Sequence, residues 1–489
     1  MFLRQQNFDK LGEVMYQALV FLSAAVMSTL ILLLFRKNEV ARDRALKILV
    51  VIFCTVGFFR FFLSDSILYV INGGWFEGSY YDKTDIFHMI LRWGYYTTYA
   101  VLPVAVFCKS RLFKNVAGYF SLPFTVLSTL FFNDHMAYFL DPTGMGWHFD
   151  PTFRHVYFVI ELALAMMIPL ILHIGDRHIF NFKDGKEWRN FIFGLPAIVI
   201  AMTPVYVIPG FFGTNNLVPS WFSSYHLIWI GVTLVLTLAL YYIFRFKSYK
   251  DRYMLCLFMV LVLFFHYNSL YLMGFTIKRL PFQLCNIAAY TYLIAFLFKW
   301  KKMFHFCFIA NIVGTVFAIV APDFGIGFTG FWNVHFLIQH TYVLLVPALC
   351  MGLRIFPRIT KRSIGYYFIG FTAYITFCYI LGTVLNGYQD ITGETVNYFY
   401  LFDFDIAFDY FPFLHFVEDY YIEFGRFIMY PLVFVIVYVG YSVLCMLFFL
   451  AVRWLYKYED NVIELRASAI DLYEKITKKE SKRPKHYIE

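Results

Sequence analysis

Stretches of about 20 apolar residues recur along almost the whole of this 489-residue chain, and this feature limits its possible folds more than any other. As a helix, each stretch is long enough to cross a hydrocarbon layer of about 30 Å. Because 60% of the residues are hydrophobic and only 15% are charged, a water-soluble fold is excluded. The sequence therefore predicts an all-α polytopic membrane protein.

We predict about 13 transmembrane helices. Their bounds, to within about three residues, are 14–35, 48–72, 87–108, 114–133, 153–174, 190–210, 223–244, 253–276, 280–299, 303–321, 335–354, 363–386 and 425–452. The first helix is followed by a basic run, which is the reverse of the polarity of a signal peptide, so we expect it to remain in the mature protein.

The Lys and Arg residues between the predicted helices alternate in number from loop to loop. Six alternate loops carry 23 of them, whereas the other six carry 3. By the positive-inside rule, the N-terminus lies outside and the C-terminus is cytoplasmic, which requires an odd number of helices. The net charge of +9 is thus interpreted as a topology signal, and we expect no nucleic-acid partner.

Several segments of the chain occur twice in the same order. "LLLFRKNEVARDRALKILVVIF", near residue 33, is echoed by "YYIFRFKSYKDRYMLCLFMVLV", near residue 242. "FRHVYFVIELAL" is echoed by "IQHTYVLLVPAL", which pairs His155 with His340. We interpret this as two six-helix repeats in tandem with one C-terminal helix appended. Because six is even, the two repeats are predicted to be parallel in the membrane.

The predicted organisation has three parts. Residues 1–215 form the N-terminal repeat, residues 216–424 the C-terminal repeat, and residues 425–489 the thirteenth helix with a basic cytoplasmic tail. The outer loop 387–424 is acidic and aromatic and has no Lys or Arg. It either covers the outer opening as a lid or forms an interfacial aromatic belt. The tail is expected to bind anionic inner-leaflet lipid, with regulation by a partner as the alternative.

Polar residues inside apolar spans are costly and are therefore candidates for a functional site. In "KRLPFQLCNIAAY", Pro281 fits the first helical position and would place Cys285 about five residues below the outer end of its helix. His340 lies at a matching depth in its own span, and Asn286 adjoins the cysteine. A cysteine, a basic histidine and an orienting amide are the components of a nucleophilic acyl-transfer site.

Further polar residues of the C-terminal repeat lie near this level. His266 is a second candidate for orienting the base or stabilising an oxyanion, and Asn268 and Gln283 are candidates for substrate binding. Lys278 and Arg279, almost the only cations outside, would hold a lipid phosphate. The alternative is that Cys285 is a small apolar residue and His340 a structural hydrogen-bonding group.

The N-terminal repeat has charged and imidazole side chains at comparable depths but no cysteine among them. They are Arg60, Asp65, His88, Arg92, His155 and Glu161. Arginines beside carboxylates would suit a phosphate headgroup, because the guanidinium fork matches phosphate oxygens. A structural charge network between helices explains the same pattern.

The segment "KRLPFQLCNIAAY", followed by "LFKWKKMFHF", "APD" and "HFLIQH", resembles the bacterial integral membrane family typified by YwaF. That family is related to a eukaryotic transmembrane acyltransferase that remodels ether phospholipids through a cysteine acyl-enzyme. The resemblance covers about residues 225–425, and its motif implies a nucleophile at Cys285 and a histidine partner at His340. The family is six-helical, whereas this chain is predicted to double the unit.

The leading hypothesis is a membrane acyltransferase that moves a fatty acyl chain between lipids, or from a lipid to a glycolipid or lipoprotein, at the outer leaflet. Two parallel six-helix halves also describe a lipid or lipid-linked-precursor transporter or flippase. A non-enzymatic envelope scaffold is the third hypothesis. The sequence contains no motif for a metal or a cofactor, so none is expected. The predicted location is a bacterial plasma membrane, with membrane lipids as partners.

Overall fold

The computed structural model describes residues 10–59, 86–132, 151–174, 183–205, 207–273, 276–402 and 412–477, and these are mostly helical. Within these ranges, seven segments are long and apolar enough to cross a membrane: Gly12–Leu34, Ser224–Phe244, Tyr249–Tyr271, Lys301–Val320, Phe331–Gly352, Lys361–Gly387 and Pro431–Thr477. The chain is therefore a multi-pass membrane protein. The total of about 13 spans and the orientation stay predictions.

The chain divides into two compact units. The first comprises Met1–Asn216, Asn268–Phe275 and Gly327–His335. Its helices are α1 (Lys10–Leu34), α2 (Glu39–Phe58), α3 (Ile86–Cys108), α4 (Arg111–Val116), α5 (Leu122–Phe131), α6 (Pro151–Leu172), α7 (Gly185–Ala201) and α8 (Val207–Phe212). A π-helical turn, Ala117–Ser121, joins α4 to α5.

Short polar side chains fix where helices of the first unit begin. The Asn38 side chain accepts a hydrogen bond from the backbone N–H of Ala41 and caps α2, and Asp184 caps α7 through the N–H of Lys186. Each cap satisfies a backbone donor that has no partner inside the helix. The polar loops therefore determine these helix starts.

The second unit comprises Leu217–Tyr267, Thr276–Ile326 and Phe336–Glu489. Its helices are α9 (Ser224–Phe244), α10 (Tyr249–Asn268), α11 (Leu284–Leu297), α12 (Lys301–Val320), α13 (Phe331–Gly352), α14 (Lys361–Gly387), α15 (Gln389–Thr392) and α16 (Pro431–Thr477). Asn268, at the end of α10, and the first five residues of α13 belong to the first unit, as does the 3₁₀ segment Ser269–Met273. The 3₁₀ segments of the second unit lie at Ile277–Arg279, Tyr398–Tyr400 and Pro412–Asp419.

A hydrogen-bonded chain of side chains joins α12 to the start of α14. The Nε2 of His305 donates to the carbonyl of Pro357, so its Nδ1 accepts from the Ser363 hydroxyl. Ser363 in turn accepts from the backbone N–H of Thr360, as part of the capping box that begins α14. Every member of this chain is satisfied, which favours one arrangement of the three segments.

One prediction about the end of the chain is wrong in detail. The described residues are mostly helical, as predicted, but β1 (Ile422–Phe424) and β2 (Phe427–Met429) form a short antiparallel hairpin before the last helix. The last helix begins at Pro431 instead of residue 425, since Gly425 turns the hairpin with a φ of 63°. Arg426 therefore lies in a turn before the membrane helix.

The two units share one turn geometry. Lys109 follows α3, Lys299 follows α11, and both have a φ of 49°, the left-handed conformation that ends many helices. The tandem duplication, like the division at residues 1–215, 216–424 and 425–489, stays a prediction.

Candidate active site

The polypeptide that leads into α11 is not helical. Helix α11 has 14 residues and spans about 21 Å, which is less than the hydrocarbon thickness of about 30 Å. It begins at Leu284 with Gln283 as its N-cap residue, so the prediction that Pro281 starts the helix is wrong. The segment 276–283 is instead a 3₁₀ turn followed by a second turn.

Side chains from distant segments satisfy the backbone of this entry segment, 276–283. Three of its carbonyl oxygens accept hydrogen bonds from side chains. The carbonyl of Ile277 accepts from the Tyr398 hydroxyl, and that of Arg279 accepts from the Tyr267 hydroxyl (3.3 Å). The carbonyl of Phe282 accepts from the Tyr374 hydroxyl (2.8 Å) and from the Cys378 thiol (3.5 Å). Irregular backbone at membrane depth is tolerated where it is buried in protein or lines a cavity. These bonds hold the segment out of the helix, which explains the failed prediction.

Two amide side chains fasten the loop 394–402 beside the entry segment. Gln283 donates from Nε2 to the carbonyl of Asn397 (2.7 Å) and accepts from the N–H of Phe399 (3.0 Å). Asn386 binds both backbone groups of Val396 in the same way, at 3.0 and 2.7 Å. Because its amide is engaged there, Gln283 provides no side-chain cap to α11. Because the N–H of Asn286 donates to the Gln283 carbonyl (2.9 Å), the N–H groups of Leu284 and Cys285 are the ones left for another acceptor.

Cys285 is the second residue of α11, and its half-buried thiol faces the neighbouring amide. Its Sγ lies 3.4 Å from Oδ1 of Asn286. Gln339, on α13, donates from Nε2 to that same Oδ1 (2.7 Å) and to the Cys285 carbonyl (3.4 Å). These bonds join the start of α11 to the middle of α13.

His340 follows Gln339 on α13 and is buried. Its Nδ1 lies 2.7 Å from the carbonyl of Phe336, one helical turn earlier. A carbonyl can only accept, so Nδ1 carries the hydrogen and the neutral ring has its lone pair on Nε2. The Phe336 ring packs against the imidazole with centroids 4.1 Å apart. The nitrogen available as a base is therefore Nε2.

The two residues lie on joined segments, but their positions counted from the helix ends differ from the predicted ones, and their matching depth in the membrane stays a prediction. Cys285 is the second residue of its helix and His340 is the tenth of its own, instead of about five residues from each end. Within the described part of the chain, no hydrogen bond links the Cys285 thiol directly to His340. Gln339, which the sequence did not single out as catalytic, provides the connection.

A cavity of about 490 Å³ opens beside the entry segment. Its polar lining includes the cations Lys278 and Arg426 and the amides of Gln283, Asn386 and Asn397. Three parts of the chain line the cavity. They are the entry segment, the end of α14 together with the loop that follows it, and the β-hairpin together with Tyr430. The predicted substrate residues Lys278 and Gln283 therefore meet in one concave site.

The sequence pattern does not identify Arg426 as a site residue, because it predicts a membrane helix that begins at residue 425. Its guanidinium lies 3.0 Å from Oδ2 of Asp390 and 4.6 Å from the centre of the Tyr388 ring. The signal available in the sequence was Gly425, since "FGRF" has the turn residue of a hairpin.

The other predicted residues of the C-terminal repeat are less closely connected to the thiol. Burial lowers the pKa of Arg279, and the nearby Glu394 carboxylate offsets part of that effect. His266 and Asn268 are buried at the end of α10. No hydrogen bond in the described part of the chain joins His266 to Cys285 or to His340. The roles assigned to these three residues stay predictions.

The N-terminal candidates are described only in part. Arg92 and Glu161 are buried in α3 and α6, and Glu161 accepts a hydrogen bond from the Tyr99 hydroxyl. Arg60 and Asp65, together with the side chains of His88 and His155, lie outside the described residues. A substrate role for this group stays a prediction.

The comparisons with known proteins reach the second unit. Residues 221–438 match the family model of the TMEM164 family, and this stretch contains Cys285, His340 and the whole cavity lining. No curated protein and no solved structure matches the chain. The resemblance to YwaF itself stays a prediction. The chain is thus a multi-pass membrane protein whose residues 221–438 are similar to the TMEM164 family.

Proposed function

We propose that the second unit is a membrane acyltransferase that moves a fatty acyl chain between lipids, or from a lipid to a glycolipid or lipoprotein, at the outer leaflet. The observation that carries the proposal is the pair of hydrogen bonds from Gln339, because they join the Cys285 segment to the helix turn that bears His340. A nucleophile and a base on joined segments are what acyl transfer requires.

In the first step, Nε2 of His340 takes the proton of the Cys285 thiol, and the thiolate attacks the ester carbonyl of a donor lipid. The carbon–sulfur bond forms, the ester carbon–oxygen bond breaks, and the leaving alcohol takes the proton back from His340. The N–H groups of Leu284 and Cys285, at the start of α11, are donors for the oxyanion. Asn286 Oδ1, which accepts from both the thiol and Gln339, orients the sulfur.

In the second step, His340 takes a proton from the hydroxyl or amine of the acceptor, which attacks the thioester carbonyl. The carbon–sulfur bond breaks, and the sulfur recovers its proton from His340. The thiol and Nε2 have to approach each other when the substrate binds, since catalytic hydrogen bonds often form only in that complex.

The cavity supplies the headgroup site in this proposal. Lys278 is exposed at its rim, and Arg426 presents a guanidinium from the hairpin turn. Both cations would bind a phosphate, while Gln283 connects the cavity to Cys285 two residues further on. A lipid held in this way would have its ester bonds below the headgroup, toward the thiol.

The test is the intact mass of the purified protein after incubation with phospholipid vesicles, with and without hydroxylamine, which cleaves thioesters. We expect an acyl-sized adduct that hydroxylamine removes and that Cys285→Ala abolishes. Cys445→Ala is the matched control, because that cysteine is buried in α16 and its sulfur lies 3.9 Å from the Ile309 carbonyl. It should retain the adduct.

His340→Gln should slow adduct formation strongly, because it removes the base. The proposal fails if no adduct forms, or if an adduct persists in Cys285→Ala. Lipid movement across vesicle membranes that is unchanged in Cys285→Ala, without any adduct, would favour the transporter instead. A native chain that forms no adduct and moves no lipid would favour the scaffold.

A further inference from the structure

Helix α16 is much longer than a membrane requires. It runs without interruption from Pro431 to Thr477, which is 47 residues or about 70 Å. Its uncharged part ends at Val452, and Arg453 is the first charged residue. About 25 residues therefore continue straight beyond the hydrocarbon layer, into a region where apolar side chains cannot be covered by lipid tails.

This extension has an apolar stripe with an unbroken three-four spacing. Its members are Leu455, Tyr458, Val462, Leu465, Ala469, Leu472 and Ile476. All seven are exposed, and Leu465 and Ile476 each have 71% of their surface free. Alternate steps of three and four residues over three heptads are the signature of a coiled-coil seam.

The opposite side of the extension already packs against its own chain. Ala467 and Ile470 are buried, Asp460 pairs with Arg354, and Glu459 pairs with Arg358 at 2.7 Å. At 100° per residue, the centre of this side lies about 150° around the helix from the apolar stripe. The contacts within the chain therefore hold the extension in place and turn the stripe outward.

We propose that the stripe is a parallel two-stranded coiled coil between two copies of this chain. With Leu455 at position a, the stripe has the β-branched Val462 and Ile476 at a and Leu465 and Leu472 at d, the combination that favours two parallel strands. Two copies in one membrane have the same orientation, so their α16 helices point the same way and lie at the same height. The membrane thus imposes both the parallel direction and the register.

The residues that flank the stripe are compatible with this pairing. In a parallel coiled coil, position g of one heptad faces position e of the next heptad in the partner. Here Asn461 would face Arg466, and Ser468 would face Tyr473, so no like charges meet. Three heptads form a short seam, but confinement to one membrane raises the effective concentration of the two helices.

The test is crosslinking of the full-length protein in native membranes and after purification, with a short bis-maleimide. Leu465→Cys and Leu472→Cys, on the stripe, should give a product of twice the mass of the chain. Glu464→Cys and Asp471→Cys, at the exposed c positions on the other side, should give much less. The unsubstituted protein measures the background from its own eight cysteines.

A second measurement uses the mass of the purified protein in nanodiscs. The native chain should form a dimer that Leu465→Lys with Leu472→Lys converts to a monomer. The control pair Glu464→Lys with Asp471→Lys should remain a dimer. Equal crosslinking on and off the stripe, a dimer that survives the lysines on the stripe, or crosslinks in membranes only to a chain of different mass would each overturn the proposal.

Discussion

Gln339 is the residue on which the candidate site depends, although it has no acid–base chemistry of its own. Its Nε2 binds Asn286 Oδ1 and the Cys285 carbonyl, and the side chain is buried. We expect Gln339→Leu to lower the free energy of unfolding by about 1–3 kcal/mol, because it leaves buried acceptors without a donor. Thermal unfolding in detergent measures this effect.

The control for that substitution is Gln389→Leu, which removes an exposed glutamine and should change stability by less than about 0.5 kcal/mol. Equal stability of the two variants would mean that the Gln339 bonds contribute nothing. If the proposed acyltransferase activity is present, Gln339→Leu should also slow adduct formation.

Protonation of the Asp43 carboxylate at low pH should destabilise the first unit. Its carboxylate lies 2.8 Å from the ammonium groups of both Lys47 and Lys109. Burial acts to raise the pKa of Asp43, but the hydrogen bonds and charges of the two lysines outweigh it and hold that pKa below its ordinary value. The stabilisation is therefore present above the unfolded pKa of about 4 and is lost as pH falls through the lower folded value.

We expect Asp43→Asn to unfold at a lower temperature than the native chain at pH 7, and the difference to shrink toward pH 3. The effect should be at most about 1 kcal/mol, because these side chains are partly exposed to solvent. Thermal unfolding across this pH range measures it. A difference that does not change with pH would contradict the assignment.

At the scale of the element, helix α14 approaches α12 closely through one glycine. A Cβ added at Gly370 would lie 2.5 Å from Cγ and 2.9 Å from Cβ of Phe306. Those atoms are near the root of the side chain, so the helix backbones must separate. Gly370→Ala should lower the free energy of unfolding by about 1–3 kcal/mol.

Gly365 on the same helix supplies the matched control, because a Cβ there meets nothing within 4 Å. Gly365→Ala should be neutral or stabilising by up to about 1 kcal/mol, since alanine is the better helix former. Thermal unfolding of the two variants decides the matter. If both changes had the same sign, the close approach of α12 and α14 would not limit packing.

The apolar stretches of the sequence predict where most of the described helices lie. The reason is that a chain inside the membrane has to satisfy its backbone N–H and C=O groups by forming a helix. Several helix starts lie outside the predicted bounds, and α2, for example, begins at Glu39 instead of residue 48. Two of these failures have reasons that no local rule contains. Pro281 does not begin α11, because hydroxyl, thiol and amide groups from distant segments bind the backbone of the entry segment. Gly425 opens a hairpin that delays α16 to Pro431.

At the scale of the whole molecule, the sequence predicted Cys285 and His340 as partners but not what surrounds them. The cavity combines the entry segment with residues that lie more than 100 positions later. Such a site depends on loop conformations, which helix periodicity does not report. Lys278 was predicted from its charge, whereas Arg426 required the hairpin.

The orientation of the whole chain decides whether the candidate site faces the outer leaflet. Arg354 and Arg358, in a basic loop, contact Asp460 and Glu459 of α16, so the extension of that helix lies on the side with the cations. Because Lys and Arg mark the cytoplasmic side, that extension should be cytoplasmic and the loop after α14 should be outside.

Cysteines introduced at two exposed positions test this orientation with a thiol reagent that cannot cross membranes. Ile391→Cys, in α15, should be labelled in intact cells, because 73% of the Ile391 surface is free. Lys457→Cys, in the extension of α16, should be labelled only after permeabilisation. The native chain serves as the background, since most of its cysteines are buried. The reverse pattern would turn the cavity and the Cys285 segment toward the cytoplasm, and the proposed chemistry would then have to act on the inner leaflet.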